Sequence, residues 1–229
     1  MGCDQNAFIR SHCVDMSLTT DGQKCGGIVG FLNCVKSWIN KFNPDGIFVC
    51  WDGEGGSLRK RKIYPEYKAQ RKPFLSTPSA GDEDDVKNKI WQLQSLVALL
   101  KFFPVCQLYV ENCEADDIVF YLVNKLKDTN KLIISSDKDF YQLVSDKTKI
   151  YSLSKKVIIK SEDIVNEFRV LPENFVIYRS IIGDASDNID GIKGIGPAKF
   201  AKLLPELAEK KLDTLNELKV ILTEKNNQK

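Results

Sequence analysis

With 229 residues, 43% hydrophobic and 28% charged, the chain has the make-up of one folded domain with at most a small appendage, which argues against a fibrous or low-complexity protein. Its seven cysteines are scattered without a C-x-x-C pair and there is a single histidine, His12, so neither a zinc site nor a disulfide framework is expected. No apolar run approaches the roughly 18 residues that span a bilayer, and the amino terminus lacks a basic segment and an apolar h-region, so the expectation is a soluble, cytoplasmic monomer without membrane association.

The net charge of +2 conceals an asymmetry. Residues 57 to 75 carry Arg59, Lys60, Arg61, Lys62, Lys68, Arg71 and Lys72 against the single acid Glu66, while acids gather elsewhere. That pattern fits a phosphate-binding rim around an acidic centre.

In chain order, Met1-Gly2-Cys3 leaves room for a very short strand before Asp4. Ile28, Phe31, Leu32, Val35, Trp38, Ile39 and Phe42 recur at helical spacing, which predicts a helix over 26–42 stopped by Asn43-Pro44-Asp45-Gly46. Ile47 to Trp51 reads as a strand buried on both faces and ends at Asp52. The glycines Gly53, Gly55 and Gly56 then lead into the basic segment, where Tyr64, Tyr67 and Phe74 are interleaved with cations. Aromatics there can stack on bases, which favours single-stranded nucleic acid over a merely solvated basic helix. A loop is expected over 76–85 and a long helix over 84–102. Val105 to Val110 reads as a strand, and Glu114-Ala115-Asp116-Asp117 opens a helix through Leu126.

Leu132-Ile133-Ile134 then delivers Asp137-Lys138-Asp139. Further strands are expected at 150–153 and 157–159, and helices at 161–168, from 172, and over 201–226. Strands alternating with helices predict an α/β fold, a mostly parallel central sheet flanked by helices over 1–160, followed by a helical region over 161–229 in the same compact unit.

Two acidic clusters at strand ends, about 20 residues apart and joined by a βα connection, are brought together in space. Carboxylates gathered there repel unless a cation neutralises them, the signature of a hard-metal site for Mg²⁺ or Mn²⁺. A third cluster, Gly183-Asp184-Ala185-Ser186-Asp187-Asn188, runs directly into Gly191-Ile192-Lys193-Gly194-Ile195-Gly196-Pro197-Ala198-Lys199. Such a glycine turn before a helix can bind phosphate through backbone N–H groups, with Lys193 and Lys199 nearby.

Asp4, the strand ending at Asp52, Tyr64-Pro65-Glu66-Tyr67-Lys68, the three acidic clusters and the glycine hairpin occur in the order found in the flap endonuclease/5′-3′ exonuclease family, which the chain resembles over nearly its whole length. The resemblance implies a PIN-like 5′ nuclease core that hydrolyses phosphodiester bonds at 5′ ends and at flap or single-strand/duplex junctions of DNA, with RNA–DNA hybrids as a further substrate. It implies two metal ions, the first among Asp4, Asp52, Glu114, Asp116 and Asp137, the second among Asp139, Asp184 and Asp187, with Asp117 supporting. Arg59 and Lys60 would act at the scissile phosphate. Segment 57–75 becomes a helical arch that passes a 5′ single strand, using Arg61, Tyr64, Tyr67, Lys68 and Arg71, with Arg10 a phosphate contact. Gly191, Lys193, Gly194, Gly196 and Lys199 become a helix-hairpin-helix that grips duplex DNA, often through a bound K⁺.

The chain departs from the family pattern in the short run before Asp4 and in Gln5-Asn6-Ala7, where a glycine or serine commonly follows the first aspartate. By the same resemblance, a bacteriophage origin would fit a short, free-standing chain. Two other readings stay open: a catalytically weakened module that binds branched DNA, and a PIN-like ribonuclease. The full carboxylate set argues against the first, and the arch and glycine hairpin against the second.

Overall fold

The computed structural model describes residues 17–70, 83–212 and 214–227. Asp4, Arg10 and Arg71 lie outside them, as does the strand expected before Asp4.

The predicted first helix forms as α1, Gly26–Phe42. Ile28, Phe31, Val35 and Trp38 are its buried residues, spaced three or four apart so that they share one face. Asn43 ends the helix at φ 42°, a left-handed conformation that asparagine tolerates, and its N–H donates to the Ile39 carbonyl at 2.8 Å.

Strand β1 (Phe48–Trp51) pairs in parallel with β2 (Cys106–Tyr109), Phe48 opposite Cys106. Strand β3 (Lys131–Ile134) pairs in parallel with β4 (Thr148–Tyr151), and β5 (Ile158–Ile159) closes antiparallel on β4. The parallel pairing is as expected, but among the described residues the strands form separate small sheets instead of one continuous central sheet. Between the strands lie α2 (Leu58–Ile63), α3 (Glu83–Leu99, extended by a 3₁₀ turn over Leu100–Phe102) and α4 (Ala115–Lys125).

Side-chain alternation along these strands divides the core into two layers. Val49, Ile134 and Tyr151 pack with Phe31, Trp38, Leu96 and Leu100 on the side of α1 and α3. Their chain neighbours Cys50, Ile133 and Ile150 point the other way and pack with Ile118, Val119 and Phe140. Each fully buried aliphatic side chain contributes about 1.5–3 kcal/mol. Between α1 and α3 the fully buried Gln92 accepts from the Gly27 N–H at 2.7 Å and donates to Asn88 at 2.6 Å, so the polar group is satisfied at both ends.

Helices α5 (Ser161–Phe168), α6 (Phe175–Ile182), α7 (Pro197–Leu203) and α8 (Leu215–Asn227) follow. The glycine turn runs, as expected, into a helix that begins at Pro197, and the helices expected over 201–226 form as the end of α7, a 3₁₀ turn over Pro205–Ala208 and α8. An edge-to-face chain of rings joins Phe168 to Phe175 at 5.2 Å and Tyr178 to Phe200 at 5.0 Å. Asn174, fully buried, donates to the Leu207 and Lys210 carbonyls and accepts from the Leu212 N–H, pinning the chain beyond α7. This apolar layer runs from Cys50 to Leu212 without a break at residue 160. Among the described residues no helix is long and apolar enough to cross a membrane.

Candidate metal centre and nucleic-acid interface

Helix α6 ends at Gly183, whose φ of 84° and close approach to the Gly191 backbone leave no room for a side chain; a Cβ there would lie 2.4 Å from the Gly191 nitrogen. Two short strands, β6 (Gly183–Asp184) and β7 (Ile189–Asp190), pair antiparallel and close a loop that neither periodicity nor composition announces. Inside it Asp184 accepts from the Ser186 N–H at 2.9 Å and from its hydroxyl at 2.7 Å, and Asn188, at φ 59°, turns the chain back.

From the other side, the chain leaving β3 passes Asp137, whose carboxylate accepts from the Asp139 N–H at 2.9 Å and caps the 3₁₀ turn Lys138–Leu143. Asp139 is thereby aimed at the loop. Asp139, Asp184 and Asp187 each offer a carboxylate oxygen within 4.8 Å of the others, and Asp187 is buried. Three hard oxygen donors at this spacing fit a divalent cation of the Mg²⁺ or Mn²⁺ class. This trio is the set the resemblance implies for the second ion.

Arg179 of α6 reaches into the same trio, a residue the sequence reading passed over. Its Nε donates to Asp139 at 3.3 Å, Nη2 to Asp184, and Nη1 to the Gly183 carbonyl at 3.4 Å. Burial and then the Asp137 charge push the Asp139 carboxyl up to about 6, with Arg179 opposing and Asp184 and Asp187 adding to the rise. Burial also raises Asp184, but hydrogen bonds from Ser186 and the charge of Arg179 outweigh it and hold that carboxyl below its ordinary value.

The carboxylates expected for the first ion are arranged differently. Glu114 caps α4 and is joined to Asp117 in a capping box: the Asp117 carboxylate accepts from the Glu114 N–H at 3.0 Å. Asp117 thus holds the amino-terminal end of α4. Asp52 accepts from the Ala115 N–H at 2.8 Å at the same helix end, where the helix dipole favours negative charge. Asp116 lies near enough to Cys50 to add to the burial that pushes that thiol up to about 11.

Buried Glu114 is met by cations from the chain: Lys60 Nζ donates to it, Lys68 Nζ does so at 2.6 Å, and the Tyr67 hydroxyl at 3.0 Å. Lys60 also lies 3.3 Å from Asp117. Burial raises the Glu114 carboxyl, yet the two lysine hydrogen bonds outweigh it and hold it below the usual range. Tyr67 is pushed well above an ordinary phenol, by burial first and then by Glu114 and Asp187, so it remains a donor bridging the two acidic groups.

The expectation that Tyr67 offers a stacking face is therefore corrected, because the ring is buried and covered by the Lys60 and Lys68 ammonium groups at 5.7 and 4.9 Å. Tyr64 is the more open aromatic. With Ile63, Tyr67, Ile189, Lys60 and Asp190 it lines an apolar-walled cavity of about 650 Å³.

The basic segment is also stitched to the acidic loop. The Lys68 N–H donates to the Asp187 carbonyl at 2.9 Å, Asn188 donates to the Glu66 carbonyl at 3.0 Å, and Gln70 donates to Asn188 at 2.6 Å. Of the expected arch, only α2 is helical among the described residues. Arg59 and Arg61 are exposed on it and form no ion pair among the described residues. In the glycine hairpin Gly191, Lys193, Gly194 and Gly196 are exposed, Gly194 takes φ 82°, and Lys199 donates to the Gly194 carbonyl at 3.1 Å.

Residues 4–169 match the family described as 5′-3′ exonuclease, N-terminal resolvase-like domain. Over 188 residues the chain is 32% identical to a 5′-3′ exonuclease of Aquifex aeolicus, covering 81% of this chain and 61% of that protein. It is 33% identical over 193 residues to the thermostable DNA polymerase I of Thermus thermophilus, covering 82% of this chain and 21% of the polymerase. The chain therefore spans less than two thirds of these relatives. The fold matches that of the bacteriophage T5 flap endonuclease, captured in a pseudo-enzyme-product complex with DNA and metal ions, with a TM-score of 0.75 at 20% identity over 97% of this chain and 85% of that one. The architecture is thus a resolvase-like, PIN-type arrangement of helices around small sheets.

Proposed function

The chain belongs to the 5′-3′ exonuclease family, and from that premise we propose that it is a divalent-metal-dependent nuclease that hydrolyses phosphodiester bonds of DNA. Its substrates on this reading are 5′ ends and flap or single-strand/duplex junctions, with RNA–DNA hybrids as a further class. The observation that carries the proposal is the convergence of Asp139, Asp184 and Asp187 beside a segment that supplies Lys60 and Lys68. Acids alone would repel a polyanion; acids that hold a cation, next to lysines, bind one.

Asp139, Asp184 and Asp187 would hold one ion, and Asp4, Asp52, Glu114, Asp116 and Asp137 a second, both Mg²⁺ or Mn²⁺. Bound ions of this class activate water and stabilise the charge on the attacking and leaving oxygens. The protein's own groups bind and orient the nucleic acid. Lys60 and Lys68, now spent on Glu114, would turn toward the scissile phosphate when the ions take over that carboxylate. Arg59 and Arg61 lie exposed on α2 for phosphate contact, and Tyr64 borders an apolar wall able to accept a base. The hairpin from Gly191 to Lys199 would hold the duplex through backbone N–H groups, with K⁺ as a further ion there.

The test is incubation of purified protein with labelled flap, nicked and single-stranded substrates in Mg²⁺ or EDTA. Cleavage from the 5′ side in Mg²⁺ and none in EDTA is expected, and the Asp139→Asn/Asp187→Asn double variant should lose cleavage while still binding junctions. Cleavage that persists in EDTA, or in the double variant, overturns the metal-dependent reading.

A further inference from the structure

We propose that Arg179 is a built-in cation of the Asp139–Asp184–Asp187 site, occupying it when no divalent ion is bound and setting how tightly such an ion binds. The inference rests on the metal-dependent reading above and deepens it. Arg179 spans two of the three carboxylates, with Nε on Asp139 and Nη2 on Asp184, while Nη1 rests on the Gly183 carbonyl at the negative end of its own helix. Asp184 is thereby engaged on both oxygens, by Arg179 on one and by Ser186 on the other.

A divalent ion bound among the same oxygens would sit against the guanidinium, so its entry requires Arg179 to give up those contacts. The side chain is 25% exposed, which leaves it a way out toward solvent. Arginine suits the role because its planar fork can serve two carboxylates at once.

Competition of this kind gives metal-free stability and metal affinity opposite responses to one substitution. Arg179→Gln leaves three like charges facing one another in the metal-free protein and removes the competitor. The experiment compares wild type, Arg179→Gln and Arg179→Lys by thermal melting in EDTA and by calorimetric titration with Mn²⁺, reading the binding step that Asp187→Asn abolishes. Relative to wild type, Arg179→Gln should melt about 3–6 °C lower in EDTA and bind Mn²⁺ about tenfold more tightly, with Arg179→Lys between them. Equal or weaker Mn²⁺ binding by Arg179→Gln overturns the role assigned to Arg179 while the metal site stands. Failure of wild type and variants alike to bind Mn²⁺ overturns the metal site and this inference together.

Discussion

Replacing Glu114 by glutamine keeps the shape of the side chain and removes the charge that Lys60, Lys68 and Tyr67 converge on. The two lysines are not equally dependent on it. Lys60 has a side chain 34% exposed and keeps Asp117 at 3.3 Å, so water and a second acid compensate much of its loss. Lys68 is only 14% exposed and pairs with Glu114 at 2.6 Å, which leaves its ammonium poorly solvated and unmatched. Removing one partner of a buried pair costs about 3–5 kcal/mol, and the partial access at Lys60 places Glu114→Gln near the lower end, at about 3 kcal/mol. For a chain of this size that lowers the melting temperature by about 6–12 °C.

Urea unfolding followed by circular dichroism in EDTA measures the loss, and a cycle with Lys68→Met apportions it. The double variant should be less destabilised than the sum of the two singles by about 2 kcal/mol, because the methionine removes the stranded charge. A Glu114→Gln loss under about 1 kcal/mol, or strictly additive singles, refutes the view that Lys68 is held in place by Glu114.

The metal-free protein should become more stable as pH falls from 7.5 toward 5. Asp139 has a folded-state value raised to about 6, so the cost of its charge is present above that pH and is relieved as the proton binds. Melts in EDTA should show this rise for wild type, and an unchanged rise in Asp139→Asn would assign it to another group. Below the ordinary carboxylate range the trend reverses, since Glu114 and Asp184 are held below their usual values and lose stabilising contacts on protonation. Gly191→Ala should disrupt the acidic loop, because a Cβ would lie 2.1 Å from the Ile182 carbonyl oxygen. Gly194→Ala, in open space but at φ 82°, should cost only about 1 kcal/mol of backbone strain; comparable losses in urea unfolding would contradict that ranking. Arg59→Ala should weaken junction binding and make its salt dependence shallower by about one unit of slope, whereas a loss unaffected by salt would point to misfolding.

Much of this was readable in the residues, and the exceptions share physical causes. The bounds of α1 follow from its apolar spacing and from Asn43-Pro44, because those features act locally. Asp139, Asp184 and Asp187 were grouped by the resemblance, since an acid after an apolar run or beside glycines can equally be a cap, as Asp137 and Asp184 are. Sheet continuity was not legible, since an apolar run such as Ile47 to Trp51 shows that a segment is extended without naming its hydrogen-bonded neighbour. Tyr67 turns inward within a stretch of turns that has no period to reveal its direction. Arg179 escaped notice because one basic residue in the last turn of an apolar helix is ordinarily a complement to the helix dipole. Its second use depends on Asp139, forty residues away in sequence.

The contact between Gly183 and Gly191 makes the acidic loop a ring drawn closed at its neck, with the Ile192 N–H tied to the Ile181 carbonyl at 2.7 Å just outside it. A ring so closed has a fixed circumference. Residues added between Asp184 and Asp187 cannot widen the neck and must bulge outward, altering the separation of the two aspartates. The stretch from Gly183 to Gly191 is therefore expected to be intolerant of any change in length, and to tolerate exchange only at exposed side chains that, unlike Ser186, do not hold Asp184.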